Sequence, residues 1–288
     1  MIRQFTPAQH STVVIDAEIA WVEWGEPGSP VVLLSHATGF HSRCWDEVAA
    51  HLDGYRVIAT DHRRHGRSES KPFADWGQFG ADLVALIVAL DLREITGVGH
   101  SMGAHCMVQA AAGEPDRFGE LILFDPVILD PGFYAAGAAV FGAEHPVARR
   151  RNDWESPRQM FDALHKREPF SRWNDRVLHD YCEHGLVKSG ESYVLACRPE
   201  DEAAVYASSL EMNIYDRIPD VNQPVTVIRA EWRGFEEARH NFALSPTWPE
   251  LAGRFSDGRD VYLPDYSHFL PMEDPEFTAS LIKGEHPA

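Results

Sequence analysis

Residues 97–104 read Gly-Val-Gly-His-Ser-Met-Gly-Ala, which puts Ser101 in a Gly-x-Ser-x-Gly frame. The frame follows the apolar run Glu94-Ile95-Thr96-Gly97-Val98 and precedes a helix-like stretch. A strand-to-helix turn of this kind forces the serine into strained backbone angles. Only small neighbours tolerate that, so Gly99 and Gly103 let strand and helix pass closely and leave the hydroxyl exposed above a sheet. Met102 then opens the helix with its N–H aimed at the same spot, where the helix dipole favours negative charge. The chemistry on offer is attack by a serine oxygen, with a donor in place for the charge that develops and an acyl-enzyme as the intermediate.

Composition bounds what can surround such a nucleophile. The chain has 288 residues, 44% of them hydrophobic, with 19 Pro and 21 Gly, enough for one large core and a sizeable insertion. The longest clean apolar run, Leu83 to Leu90, falls far short of the ~20 residues of a membrane span. Met1-Ile2-Arg3-Gln4 lacks the apolar core of a signal peptide, so a cytoplasmic location is expected. Cys44, Cys106, Cys182 and Cys197 have no metal-binding spacing and are expected as free thiols, with no disulfide, metal or cofactor. A formal charge of −18 argues against nucleic acid and anionic membranes as partners. A homodimer stays open.

Short apolar runs alternate with helical segments, the pattern of a mostly parallel sheet covered on both faces. Thr12–Ile15 and Ile19–Trp24 read as a hairpin, and residues 31–34 and 56–59 as inner strands. Phe79, Leu83, Leu86, Ile87 and Leu90 mark a helix over 77–90. The elbow strand, a helix over 102–112 and a strand over 121–124 ending at Asp125 come next, with later strands at 225–228 and 261–263. About a hundred residues rich in Trp, Phe and Arg separate Asp125 from Val225. Their helical spacing assigns 127–222 to a helical lid, with 1–126 and 223–288 as the core.

Four segments now stand in order along nearly the whole chain: His36-Ala37-Thr38-Gly39-Phe40, Asp61 to Ser68, Gly99 to Gly103, and Ser267-His268-Phe269-Leu270-Pro271-Met272-Glu273-Asp274-Pro275-Glu276. With them the chain resembles the α/β-hydrolase superfamily, in its serine esterase-like branch with a lid after the sixth strand. The resemblance implies an eight-stranded, mostly parallel sheet flanked by helices. It does not by itself name a reaction.

The resemblance also implies the partners of Ser101. His268 follows the last strand, where this superfamily carries its general base, and imidazole suits the task at neutral pH. The acid departs from the commonest pattern: where an aspartate usually follows the seventh strand, the chain reads Ala230-Glu231-Trp232-Arg233. Some members carry the acid at the end of the sixth strand, where Asp125 stands, so Asp125 is the expected acid, with Glu231, Glu236 and Glu237 as rivals. By register Thr38 offers the second oxyanion donor beside Met102, with a shifted assignment to Phe40 as the alternative. His36 is expected to be structural in that loop, and His100 and Phe40 to line the pocket. Asp61 to Ser68 is expected to be structural, Arg149-Arg150-Arg151 a solvated helix face, and His165, His179 and His184 solvated.

The expected activity is cleavage of a carboxylic ester, lactone or thioester, because superfamily members that form alkyl-ester intermediates use aspartate at the elbow. Phe133, Tyr134, Phe141, Trp154, Phe161, Phe170 and Trp173 suggest a mainly apolar small-molecule substrate. Two alternatives share the triad: a carbon–carbon bond hydrolase of a diketone-type substrate, for which no pocket arginine can be placed from sequence, and a receptor without turnover.

Overall fold

The computed structural model describes residues 6–136, 145–238 and 240–285. A hairpin, β1 (Ala8–Val14) and β2 (Ala17–Trp24), leads into β3 (Val31–Ser35), the short helix α1 (Asp46–Ala49) and β4 (Arg56–Thr60). Then follow α2 (Trp76–Ala89), β5 (Ile95–His100), α3 (Met102–Gly113) and β6 (Phe118–Phe124). The intervening segment holds α4 (Pro131–Ala136), β7 (Asp153–Trp154), α5 (Pro157–Leu164), α6 (Asp175–His184), β8 (Leu186–Ser189), β9 (Ser192–Leu195) and α7 (Pro199–Ala207). The chain returns to the sheet with β10 (Val225–Arg229), α8 (Phe235–Ala238), β11 (Gly258–Tyr262), α9 (Leu270–Glu273) and α10 (Pro275–Ile282).

Eight strands form one sheet in the order β1-β2-β4-β3-β5-β6-β10-β11. β2 runs antiparallel to β1 and β4, and the remaining pairs are parallel. This is an α/β-hydrolase fold. The inner strands are continuous apolar runs because helices cover both faces, and the period of two divides each strand between two cores. Leu33, Leu121, Leu123 and Val227 pack on one face with Phe79, Leu86 and Met107 of α2 and α3. Val32, Leu34, Ile122, Phe124 and Ile228 face the other way, against Val48 of α1 and Ile282 of α10. Asp75 caps α2 by accepting from Gly77 N, and Asp274 caps α10 by accepting from Phe277 N.

Residues 127–222 are not purely helical, as their spacing had suggested. β7, β9 and β8 form a three-stranded antiparallel sheet, with β8 and β9 joined by a two-residue turn that Gly190 opens at φ +63°. Each strand is too short to show a period against the aromatic background. Trp154 and Trp173 are buried in one cluster with Phe40, Tyr181, Phe269 and Met272, and Phe161 and Phe170 pack against it. Phe133 instead meets Phe235, and Tyr134 meets Tyr215. Phe141 lies outside the described residues.

Candidate active site

Ser101 closes β5 and begins α3 at φ +59° and ψ −118°, a conformation that L side chains rarely adopt. Its neighbours explain why the chain accepts it. A Cβ on Gly99 would lie 2.3 Å from Ala104 Cα, and one on Gly103 would lie 2.2 Å from Ser35 O and 2.6 Å from His36 O. The two glycines therefore bring the start of α3 against the end of β3 and against the loop that follows it. Ser101 N donates to Phe124 O of the adjacent strand at 3.0 Å, which fixes the turn to β6.

Ser101, His268 and Asp125 converge from three distant parts of the chain. Ser101 Oγ donates to His268 Nε2 at 3.1 Å, and His268 Nδ1 donates to Asp125 Oδ2 at 2.9 Å. All three residues are buried, at 5%, 6% and 4% exposure, so water competes little for these bonds. Asp125 also sits at positive φ, +46°, just past β6, and its N–H donates to Ile228 O of β10.

The other carboxylate oxygen of Asp125 is held by residues that sequence reading missed. Ser245 Oγ and Ala230 N both donate to Oδ1, the latter at 3.3 Å. Ser245 Oγ in turn accepts from Thr247 N at 3.1 Å, while the single hydroxyl proton of Thr247 is claimed by Pro126 O at 2.8 Å. The loop after β10 thus supplies donors to a carboxylate on β6 instead of supplying the carboxylate. His268 Nδ1 meets Asp125, not Glu231, Glu236 or Glu237, and the Glu231 carboxylate takes both Nε and Nη2 of Arg233. The polar pair Ser245 and Thr247 in a Pro-flanked loop was the only signal.

His100 lies beneath His268, ring centroids 5.0 Å apart, and its Nε2 donates to His268 O at 2.8 Å. Burial, and next the neighbouring His268, hold its pKa well below the ordinary imidazole value. It therefore stays neutral and does not oppose a proton on His268. His36 is likewise buried and neutral, its pKa pushed down by burial and then by His62. Its Nε2 accepts from His62 N at 3.1 Å, so Nδ1 carries the proton and donates to Ala37 O at 2.7 Å. In the loop itself, Phe40 N donates to Ala37 O at 3.1 Å. That bond occupies the Phe40 N–H within the loop. Met102 occupies the first position of α3, where an N–H has no acceptor within the helix. The Phe40 ring packs 6.0 Å from His100, 5.3 Å from Trp173 and 5.9 Å from Phe269.

Around this centre the basic segments divide. Arg63 is 1% exposed and bonds Asp82, Asp16 and Pro72 O, and Gly66 turns at φ +52° against the Asp61 carboxylate. Arg149 and Arg151 are exposed, but Arg150 turns inward, correcting its reading as part of a solvated face. Its Nη1 donates to Glu202 at 2.6 Å and its Nη2 to Tyr181 Oη at 2.8 Å. His184, expected in solvent, is half-buried beside Asp46 and Asp180, with potential ligand atoms of the three within 4.8 Å. Arg43 already binds both oxygens of Asp46 from Nε, at 2.8 and 2.9 Å, so the group reads as an ion-pair network rather than a metal centre. Burial, and then Asp46, push Asp180 up to about 7.

A family model described as the alpha/beta hydrolase family matches residues 31–281. The chain belongs to that family. As a whole this hydrolase is similar to the 3-hydroxybutyrate-oligomer hydrolase of Cupriavidus necator, 26% identical over 89% of each chain. Lipase LipV of Mycobacterium tuberculosis is 33% identical over 40% of this chain, a match that spans 44% of that lipase. The first relatives are therefore matched over less than half of their length. Among solved structures, E-2-(acetamidomethylene)succinate hydrolase superposes with a TM-score of 0.77 at 21% identity, covering 97% of this chain and 98% of that one. At that identity the likeness speaks to the fold. Among the described residues no helix is long and apolar enough to cross a membrane.

Proposed function

We propose that this hydrolase cleaves a carboxylic ester, lactone or thioester through an acyl-enzyme on Ser101. The observation that carries the reading is the hydrogen-bonded series from Ser101 Oγ through His268 to Asp125 Oδ2, set on a strained turn at the start of a twelve-residue helix. His268 Nε2, unprotonated because Nδ1 donates to Asp125, takes the serine proton as Oγ attacks the acyl carbon. Asp125 fixes that tautomer and stabilises the imidazolium, and neutral His100 adds no opposing charge. The N–H groups of Met102 and Thr38 receive the oxyanion. His268 then returns the proton to the leaving group and draws one from the water that releases the acyl product.

Residues 127–222 act as the lid. With Phe40 and Phe269, their Trp154, Phe161, Phe170 and Trp173 form an aromatic cluster that reaches the site through Phe269, 5.2 Å from the His268 ring, which suits a mainly apolar small-molecule substrate. Carbon–carbon cleavage of an anionic diketone calls for a cation free to hold the substrate carboxylate. Arg150 is already engaged by Glu202 and Tyr181, which favours the ester reading. Four free, buried cysteines suit a reducing, cytoplasmic setting.

The test is turnover of p-nitrophenyl acetate and butyrate. Repeated release of nitrophenolate, abolished by Ser101→Ala, supports the proposal. A single slow equivalent, or turnover undiminished in Ser101→Ala, overturns it.

A further inference from the structure

The loop that carries Thr38 is gripped from outside by the segment between β6 and β10. Gly39 stands at φ +77°, and a Cβ there would lie 2.4 Å from Glu202 Oε1 and 2.6 Å from Glu202 Cδ. The Glu202 carboxylate therefore rests on the loop backbone one residue past Thr38. Glu202 is 5% exposed, on α7, and is anchored by Arg150 Nη1 at 2.6 Å, while Arg150 Nη2 reaches Tyr181 Oη of α6 at 2.8 Å. Tyr181 closes the circuit back onto the loop. Its carbonyl accepts from His41 Nε2 at 3.1 Å, its ring stacks on the His41 ring at 5.9 Å, and it meets the Phe40 ring at 5.5 Å.

A buried ion pair of this kind is a poor source of stability, because removing both charges from water offsets most of their attraction. Burial raises the Glu202 carboxyl, and Arg150 opposes that shift. What the pair does contribute is geometry. A carboxylate fixed by a guanidinium is a rigid stop against a glycine backbone that could otherwise move through a wide range of angles.

We propose that Glu202, held by Arg150, is a positioning residue: it sets the Thr38 loop so that its N–H is aimed at the oxyanion formed on Ser101. The lid segment then controls the rate of the chemical step as well as access to it. This inference rests on the acyl-enzyme reading above.

The test replaces the whole pair, Arg150→Met with Glu202→Leu, so that no unpaired charge is left buried. The double variant is expected to fold with a Tm at or above that of the parent. With p-nitrophenyl butyrate, kcat per active site titrated with a fluorophosphonate is expected to fall roughly tenfold to a hundredfold, the scale of a misplaced oxyanion donor. KM is expected to stay within about twofold. The Ki of a butylboronic acid, which forms a tetrahedral adduct, is expected to rise in step with the loss in kcat/KM. Glu202→Gln, which keeps the shape of the stop, is expected to restore most of the rate. A double variant that keeps the parental kcat and boronate affinity overturns the proposal. So does one that fails to fold, or one whose loss lies in Tm and active-site content alone. If the parent itself shows neither turnover nor fluorophosphonate labelling at Ser101, the acyl-enzyme reading is what fails.

Discussion

Replacing Asp125 by asparagine changes one atom, and the surroundings of that side chain dictate what the change does. Oδ1 faces Ala230 N at 3.3 Å and the Ser245 hydroxyl, and Oδ2 faces His268 Nδ1 at 2.9 Å. A backbone N–H can only donate, so an amide NH2 cannot sit comfortably in the Oδ1 position. The amide oxygen is driven there and the NH2 is turned towards His268. Nδ1 must then accept, the ring proton moves to Nε2, and Nε2 can no longer take the proton of Ser101. A triad with the wrong histidine tautomer loses about 10⁴-fold in kcat, which corresponds to about 5 kcal/mol of transition-state stabilisation. The assay is kcat with p-nitrophenyl butyrate across pH 6 to 9, with thermal unfolding as the control for fold. Ser245→Ala removes one donor but leaves the tautomer intact, so it should cost far less. An Asp125→Asn enzyme within about tenfold of the parent, with its fold intact, would refute the assignment of Asp125 as the orienting acid.

Buried neutral histidines make the protein acid-labile. Burial, as the first cause, lowers His62, His65 and His105 to about 3, about 4 and about 3. Below the unfolded value near 6.5 the unfolded chain binds protons that the folded chain refuses. Stability is therefore full above that value and falls as pH drops, by about 1.4 kcal/mol per unit for each imidazole, or about 4 for the three together. Asp180, raised to about 7, and Asp46 and Glu202, raised by burial, act in the opposite sense, but these histidines, together with His36, His41, His100 and His184, which burial also lowers, outnumber them, so the sign stands. Urea unfolding at pH 7.5, 6.5 and 5.5 should show a steep loss; a flat profile contradicts it. Gly103→Ala places a Cβ 2.2 Å from the Ser35 carbonyl oxygen and should cut kcat/KM by about a hundredfold or prevent folding, measured as rate and Tm. All four cysteines are buried, and burial is the leading cause that raises each of their thiols, so iodoacetamide should leave the native protein unmodified over hours. Prompt labelling of any one would contradict its burial.

The sheet was legible because its strands are local, continuous apolar runs. The hairpin, β3 to β6, α2 and α3 lie within a few residues of where the sequence places them. Ser101 was legible because its turn requires glycines at fixed offsets. The side chain of Asp125 is where the register of β6 suggested, and Arg233, standing where an aspartate is common, is paired with Glu231. Contacts between distant loops were not legible. Ser245 reaches Asp125 across 120 residues, and Arg150 reaches Glu202 across 52. Neither spacing carries a period, and a run of three arginines looks the same from sequence whether or not its middle member turns inward. The small sheet of β7, β8 and β9 was hidden for a different reason: its strands have two to four residues, less than the alternation needs to stand out.

The central claim is that the Ser101 oxygen is made nucleophilic by His268. Its most direct test is intact-protein and peptide mass spectrometry after incubation with a fluorophosphonate. The account predicts one adduct per chain, on the peptide that carries Ser101, absent in Ser101→Ala and formed far more slowly in His268→Ala. An adduct on another residue, or none at Ser101 in a protein that turns over p-nitrophenyl butyrate, would contradict it.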